Sequence, residues 1–198
     1  MITIEPVELI VSLTGHYYNH WPNLKILHNN IVVFDGQIID GQILKLNLNC
    51  SLTNILKFVH YGKQFGENGV WDSNSDASEQ CFINIKDIKF NQVSIGEKLK
   101  AKLIFKTNWT ELQRQHNTQE FIDTYSTTQC YGSMNFNGEI ELKFNTPVYD
   151  WLILSKYKEP LADTEYFSNH SARWHYEKDL KIIKEIKELI SFDKNSNT

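Results

Sequence analysis

The sequence predicts a mainly β protein: an antiparallel β-sandwich, jelly-roll-like, with an inserted helical segment and a C-terminal amphipathic helix. Three observations predict this class. Apolar and polar residues alternate with a period of two through most of the chain, and turn signals separate the alternating runs at short intervals. A length of 198 residues with 41% hydrophobic content is enough to bury one core. We expect about eight to ten short strands.

The alternation is clearest in three runs, which predict half-buried antiparallel strands. They are QILKLNLN at 42–49, LKAKLIFKT at 99–107 and EIELKF at 139–144. A fourth run, CFINIKDIKF at 81–90, changes phase near Lys86 and Asp87. Such a change of phase predicts a β-bulge at that point.

Four dipeptides are typical of turns between these strands: Asn29-Asn30, Asp35-Gly36, Asp40-Gly41 and Asn137-Gly138. Asn137-Gly138 is the strongest hairpin signal, because a type I′ turn needs positive φ at both central residues.

Two segments lack the strand pattern. Residues 110–126 begin with Thr110, a possible N-cap, and predict a helix or a long helical loop. Residues 175–192 carry a stripe of apolar side chains and predict an amphipathic helix. We therefore expect a sandwich domain over 1–160, with the helical insertion at 110–126. Residues 161–198 are expected to pack on that sandwich or on a partner.

Composition argues against several classes. The net charge of −4 disfavours nucleic-acid binding, and no apolar run reaches the length of a membrane span. The N-terminal stretch MITIEPVELIVSLTG carries Glu5 and Glu8, which disfavours a signal peptide. Three cysteines at wide spacings predict buried thiols rather than disulfides or a zinc site.

The stretch GKQFGENGVWDSNSDASEQ, residues 62–80, is the candidate metal site. Asp72, Asn74 and Asp76 place oxygen ligands on alternate residues, as the first part of a calcium loop does, and Glu79 adds a fourth. Ala77 stands where an EF-hand has glycine, so any Ca²⁺ site here is of another kind. The alternative is a solvated connection built from turn-forming residues.

The same stretch contains candidate ligand-binding residues. The ring of Trp71 offers a face for a sugar ring, and Asn68 and Glu67 offer partners for its hydroxyl groups. The alternative is that Trp71 folds back to close the open end of the sandwich.

Two aromatic-rich segments are candidate interfaces, because Tyr and Trp are enriched at binding hot spots. His16, Tyr17, Tyr18 and Trp21 belong to the first. Trp174 and Tyr176, followed by the helical residues Ile183 and Ile186, belong to the second.

No catalytic motif is evident. Glu139 and Glu141 lie on one face of one strand, whereas glycoside hydrolysis needs carboxylates that face each other across a cleft. We expect a protein that is not an enzyme.

Two resemblances follow from these motifs. The order of strand, GKQFGENGVWDSNSDAS and strand FINIKDIKF resembles calcium-dependent xylan-binding jelly-roll modules, over residues 24–95. That resemblance implies a metal held by an acidic loop and completed by sugar hydroxyls. The segments HYGKQFGENGVWD, GSMNFNGEIELKFNTPVYDWLILSKYK and WHYEKDLKIIKEIKELI are similar to small proteins of contractile-tailed bacteriophages.

The phage resemblance implies a non-catalytic structural or accessory protein of the virion, made in the host cytoplasm. Its partners would be other virion subunits, a second copy of the chain or a host surface glycan. The alternative is a calcium-dependent carbohydrate-binding module that adheres to host glycans. An enzyme acting on polysaccharide is the third and least supported expectation.

Overall fold

A computed structural model describes residues 4–18, 20–63 and 81–157. The chain forms two compact units, residues 1–153 and 154–198. Residues 154–157 are the described part of the second unit. The predicted Ca²⁺ ligands and the second aromatic segment lie outside the described residues.

Eleven strands and four helices are assigned in the described residues. The strands are β1 (Glu5–His16), β2 (Asn23–His28), β3 (Ile31–Gln37), β4 (Gln42–Cys50), β5 (Thr53–Tyr61), β6 (Phe82–Phe90), β7 (Val93–Ser94), β8 (Ile104–Thr107), β9 (Thr127–Gln129), β10 (Ser133–Met134) and β11 (Gly138–Asn145). The helices are α1 (Gly96–Lys100), α2 (Glu111–His116), α3 (Gln119–Ser126) and α4 (Val148–Tyr157).

The strands form two antiparallel sheets. The first has the order β10-β6-β1-β4, with β7 paired to β6, and the second has the order β3-β2-β5-β11-β8-β9. The inner faces of the two sheets share one core, where the rings of Phe90 and Phe144 lie 4.6 Å apart between centroids. Trp151 packs against both rings at 5.9 Å. The predicted class, a mainly β sandwich of antiparallel strands, is confirmed.

The predicted bulge in β6 is also confirmed. Ser12 of β1 pairs with Asp87 and Leu13 pairs with Ile85, so Lys86 has no partner on β1. The extra residue keeps Ile83 and Ile85 on the inner face along with Ile88 and Phe90, all of them fully buried. Two predicted turns hold as well: Asn29 and Asn30 both have positive φ between β2 and β3, and Gly41 has φ +68° before β4.

The strand predicted over 99–107 is only half correct. Residues up to Lys100 belong to α1, and β8 starts at Ile104. Leu99 and Leu103 are both buried, and their spacing of four residues fits a helical turn as well as a strand. An ion pair of 3.0 Å between Lys100 and Glu97 lies within α1.

The predicted hairpin at Asn137-Gly138 is wrong. Gly138 opens β11 in the second sheet, whereas β10, just before it, belongs to the first sheet. Glycine is required here by close packing, because a Cβ atom at Gly138 would lie 2.3 Å from the carbonyl oxygen of Lys106. The turn predicted at Asp35-Gly36 is wrong too, since both residues lie within β3 and pair with Lys25 and Leu24.

The helical insertion at 110–126 is confirmed, as two helices rather than one. Thr110 caps α2 through a capping box with Gln113, and Thr118 caps α3 by accepting from the backbone N–H of Phe121. Helix α4 was not predicted. The predicted helix over 175–192 lies outside the described residues. No described helix has both the length and the apolar character needed to cross a membrane.

Candidate ligand-binding site

The structure brings three residues of the first aromatic segment to one groove. His16, Tyr17 and Trp21 line an open groove of about 500 Å³ at one end of the sandwich. Tyr18 lies beside it in a one-pair β-bridge with His20. The other lining residues, which sequence analysis did not select, are Thr14, Gly15, Asp40, Phe82, Asn84 and Lys86.

The groove lies on the outer face of the first sheet, where β1 ends and β6 begins. His16 and Phe82 are directly opposite each other in the β1–β6 register. Their rings stack with centroids 4.7 Å apart and planes 9° from parallel. Thr14 and Asn84 form the next outward pair, and the Thr14 hydroxyl donates to the Asn84 carbonyl oxygen at 3.5 Å. Adjacent cross-strand pairs therefore present aromatic and then polar surface.

The turn before β4 supplies the acidic side of the groove. Gly15 lets this turn approach β1, because a Cβ atom there would lie 1.9 Å from the carbonyl oxygen of Ile38. The Gly15 N–H donates to Ile39 at 3.2 Å, and the Ile38 N–H donates to Pro22 at 2.8 Å. These contacts place the exposed carboxylate of Asp40 in the groove.

Trp21 is held from two sides. Its ring meets the ring of Tyr17 edge-on, with centroids 5.3 Å apart. Its carbonyl oxygen lies 2.9 Å from Nδ1 of His20. The thiol of the buried Cys81 lies 3.7 Å from the carbonyl oxygen of His20, which ties this segment to the residue just before Phe82.

Sequence analysis missed the polar half of the groove for a physical reason. Asn84 and Lys86 look like ordinary outward positions of β6, and Asp40 looks like an ordinary turn residue. The available signal was the phase change at Lys86, because a bulge adds an outward side chain next to the face that carries Phe82 and Asn84.

The predicted calcium stretch connects β5 to β6 along the chain. Residues 64–80 connect Lys63, which follows β5, to Cys81, which precedes β6. Asp72, Asn74, Asp76 and Glu79, and the ligand candidates Trp71, Asn68 and Glu67, lie in this stretch, outside the described residues. In the described ranges, no group of three His, Cys, Asp or Glu side chains could hold a metal ion.

Other reactive candidates are engaged in structural contacts. Burial, and secondarily the charge of Glu5, raises the pKa of the Cys50 thiol to about 11.

Lys57 lies 3.6 Å from Glu139 and 3.4 Å from Glu141, and Lys143 lies 3.4 Å from Glu141. Both glutamates are thus part of a network of charges on the outer face of the second sheet.

These features define a β-sandwich with an aromatic-lined groove at one end. No protein-family model and no curated protein matches the sequence at a significant level. Among solved structures, vCBM60 in complex with galactobiose matches 68% of this chain and 95% of its own, at 11% identity and a TM-score of 0.42.

A selenomethionine form of vCBM60 matches 68% of this chain and 88% of its own. That structure is described in connection with a circular permutation that links two families of calcium-dependent carbohydrate binding modules. Its identity is 10% and its TM-score 0.40. TM-scores below 0.5 assign neither family nor ligand, so the function proposed below rests on the groove's own residues. None of these matches bears on the predicted phage resemblance, which stays a prediction.

Proposed function

We propose that the protein is a non-catalytic glycan-binding protein whose end groove receives a sugar. One observation carries the proposal: the stacked pair of His16 and Phe82 and the ring of Trp21 share a groove with the polar side chains of Asp40 and Asn84.

The lining matches the chemistry of a sugar. A pyranose ring has apolar C–H faces and a rim of hydroxyl groups, and aromatic rings bury the former while amides and carboxylates bond the latter. Asp40 accepts hydrogen bonds from hydroxyl groups, and Asn84 both donates and accepts. A volume of about 500 Å³ is in the usual range for small-molecule sites.

Calcium enters the proposal through residues 72–79. Asp72, Asn74, Asp76 and Glu79 offer the hard oxygen ligands that Ca²⁺ prefers, next in sequence to the strand that starts at Phe82. If they bind calcium, 1 mM CaCl₂ raises the melting temperature and the D72A/D76A variant loses that shift. An equal shift in both proteins contradicts the site.

Binding without catalysis is supported by the contacts of Glu139 and Glu141. Both carboxylates form ion pairs with Lys57, and Glu141 also forms one with Lys143. The predicted virion role, with assembly through the aromatic segments, remains a proposal that requires burial of Tyr17 against another subunit. Tyr17 is 53% exposed in the single chain.

A glycan microarray tests the function. Fluorescently labelled protein is applied to immobilised plant, animal and bacterial glycans, and we expect binding to a chemically related subset. Trp21→Ala removes an aromatic contact and Asn84→Ala removes a hydrogen-bonding amide. We expect each to weaken binding about 5- to 30-fold, which corresponds to about 1–2 kcal/mol.

Tyr149→Ala is the matched control, because Tyr149 is 46% exposed and does not line the groove. Thermal melting confirms that each variant folds. Absence of binding to any glycan, or equal binding by all three variants, would refute the proposal.

A further inference from the structure

A second groove opens at the same end of the sandwich, on the outer face of the other sheet. Its volume is about 420 Å³. Val59 and Tyr61 of β5, Lys106 of β8 and Glu139 of β11 line it through outward positions, which alternate with buried residues such as Phe58 and Phe105. Asn108 and Thr110, just beyond β8, also line it.

The aromatic ring of this second groove is held in place. The hydroxyl group of Tyr61 donates to the carboxylate of Asp35, two strands away. Lys25 lies between them in the sheet, with Nζ 3.2 Å from the Asp35 carboxylate and 5.2 Å from the centroid of the Tyr61 ring. An ordered ring loses little conformational entropy when a ligand packs on it.

Polar groups on β8 and just beyond it line the same groove at positions open to solvent. Lys106, Asn108 and Thr110 are all exposed. The Asn108 backbone N–H donates to Asn137 at 2.7 Å, which fixes the segment that carries the amide side chain. Next to the ring in sequence, His60 is 1% exposed, and neither of its ring nitrogens has a hydrogen-bond partner within the described residues.

Each groove combines aromatic surface with an amide, a hydroxyl group, a lysine and a carboxylate, although the first has several rings and the second presents Tyr61. They open on the outer faces of different sheets, with the shared core between them. One oligosaccharide therefore does not fill both, and each groove faces solvent in its own direction.

We infer that the second groove is a second glycan site, so that one chain binds two glycans and cross-links them. The inference rests on the proposed function of the first groove. Cross-linking through two sites on one scaffold raises the strength of attachment to a glycan-coated surface without any new contact.

The test uses the free oligosaccharide that gives the strongest microarray signal, in calorimetric titrations. We expect two molecules per chain for the wild type, one for Tyr61→Ala, one for Trp21→Ala and none for the double variant. Beads coated with the same oligosaccharide should be agglutinated by the wild type and by Tyr149→Ala, and by neither single-site variant.

A stoichiometry of one in the wild type overturns the inference and leaves the proposed function standing. So does a Tyr61→Ala protein that still binds two molecules. If agglutination survives in Tyr61→Ala with a stoichiometry of one, the cross-linking comes from self-association, and the claim that one chain cross-links two glycans is refuted. Absence of binding on the microarray would instead refute the proposed function itself.

Discussion

Replacing His60 should reduce the loss of stability that this fold undergoes between pH 7.5 and pH 5. Burial, and after it the positive charge of Lys63, lowers the pKa of His60 to about 3. The nearby backbone of Phe136 and of Met134 opposes this shift, and the charge of His20 adds to it. The unfolded chain has an ordinary histidine with a pKa of about 6.5, so the unfolded state binds a proton first as the pH falls.

The sign and the size follow by linkage. Stability from this residue is complete above the unfolded pKa, declines as the pH falls below about 6.5, and stops declining near pH 3. Between pH 7.5 and pH 5 the loss is about 2 kcal/mol. That figure depends mainly on the unfolded pKa, because His60 stays neutral in the folded protein at both pH values.

Urea unfolding at the two pH values measures the effect in the wild type and in His60→Leu. Leucine has nearly the same volume and no polar atom to leave unpaired, so the variant should be at least as stable at pH 7.5. Its stability should fall between the two pH values by about 2 kcal/mol less than that of the wild type. All other titrating groups are common to both proteins, and equal losses would refute the argument.

Three further outcomes are expected. Gly138→Ala should lower the free energy of unfolding by more than about 2 kcal/mol in urea titrations, because the new Cβ atom would lie 2.3 Å from the Lys106 carbonyl oxygen. An unchanged free energy of unfolding would show that β8 moves to make room for it. Asp35→Asn should lower the pKa of Tyr61 in an ultraviolet titration, because the hydrogen bond to Asp35 is the largest cause of the raised pKa of Tyr61. An unchanged pKa would contradict that hydrogen bond. Thr110→Ala should cost about 1 kcal/mol in the same urea assay through loss of the N-cap, and no cost would mean that α2 adds nothing to global stability.

The class of fold was predictable because apolar and polar residues alternate along the strands with a period of two. The runs 42–49 and 139–144 bury most of the residues that alternation selects, including Leu48, Ile140 and Phe144. The bulge at Lys86 was predictable for the same reason, since a change of phase is visible in the sequence. What alternation does not encode is which strand lies beside which, so Asn137-Gly138 resembled a hairpin although the chain changes sheets there.

The candidate site was predictable only in its aromatic part. His16, Tyr17 and Trp21 were predicted to form an interface, because Tyr and Trp are enriched at binding hot spots. Asp40 and Asn84 join them through the register of β1 with β6 and through the close approach at Gly15. Both depend on contacts between residues far apart in sequence, which a single sequence does not display.

The bulge at Lys86 divides β6 into two halves that both contribute to the core, whereas Phe82 and Asn84 of the first half also line the groove. On one side of it, Phe82 and Asn84 face the groove, while Ile83 and Ile85 face the core. On the other side, Phe90 belongs to the ring cluster with Phe144 and Trp151. The unpaired residue restarts the alternation after Lys86. The outward residues 82 and 84 can therefore be replaced while Ile88 and Phe90 keep their positions in the core. A variant designed for a different ligand would therefore carry substitutions at residues 82 and 84 and keep the bulge unchanged.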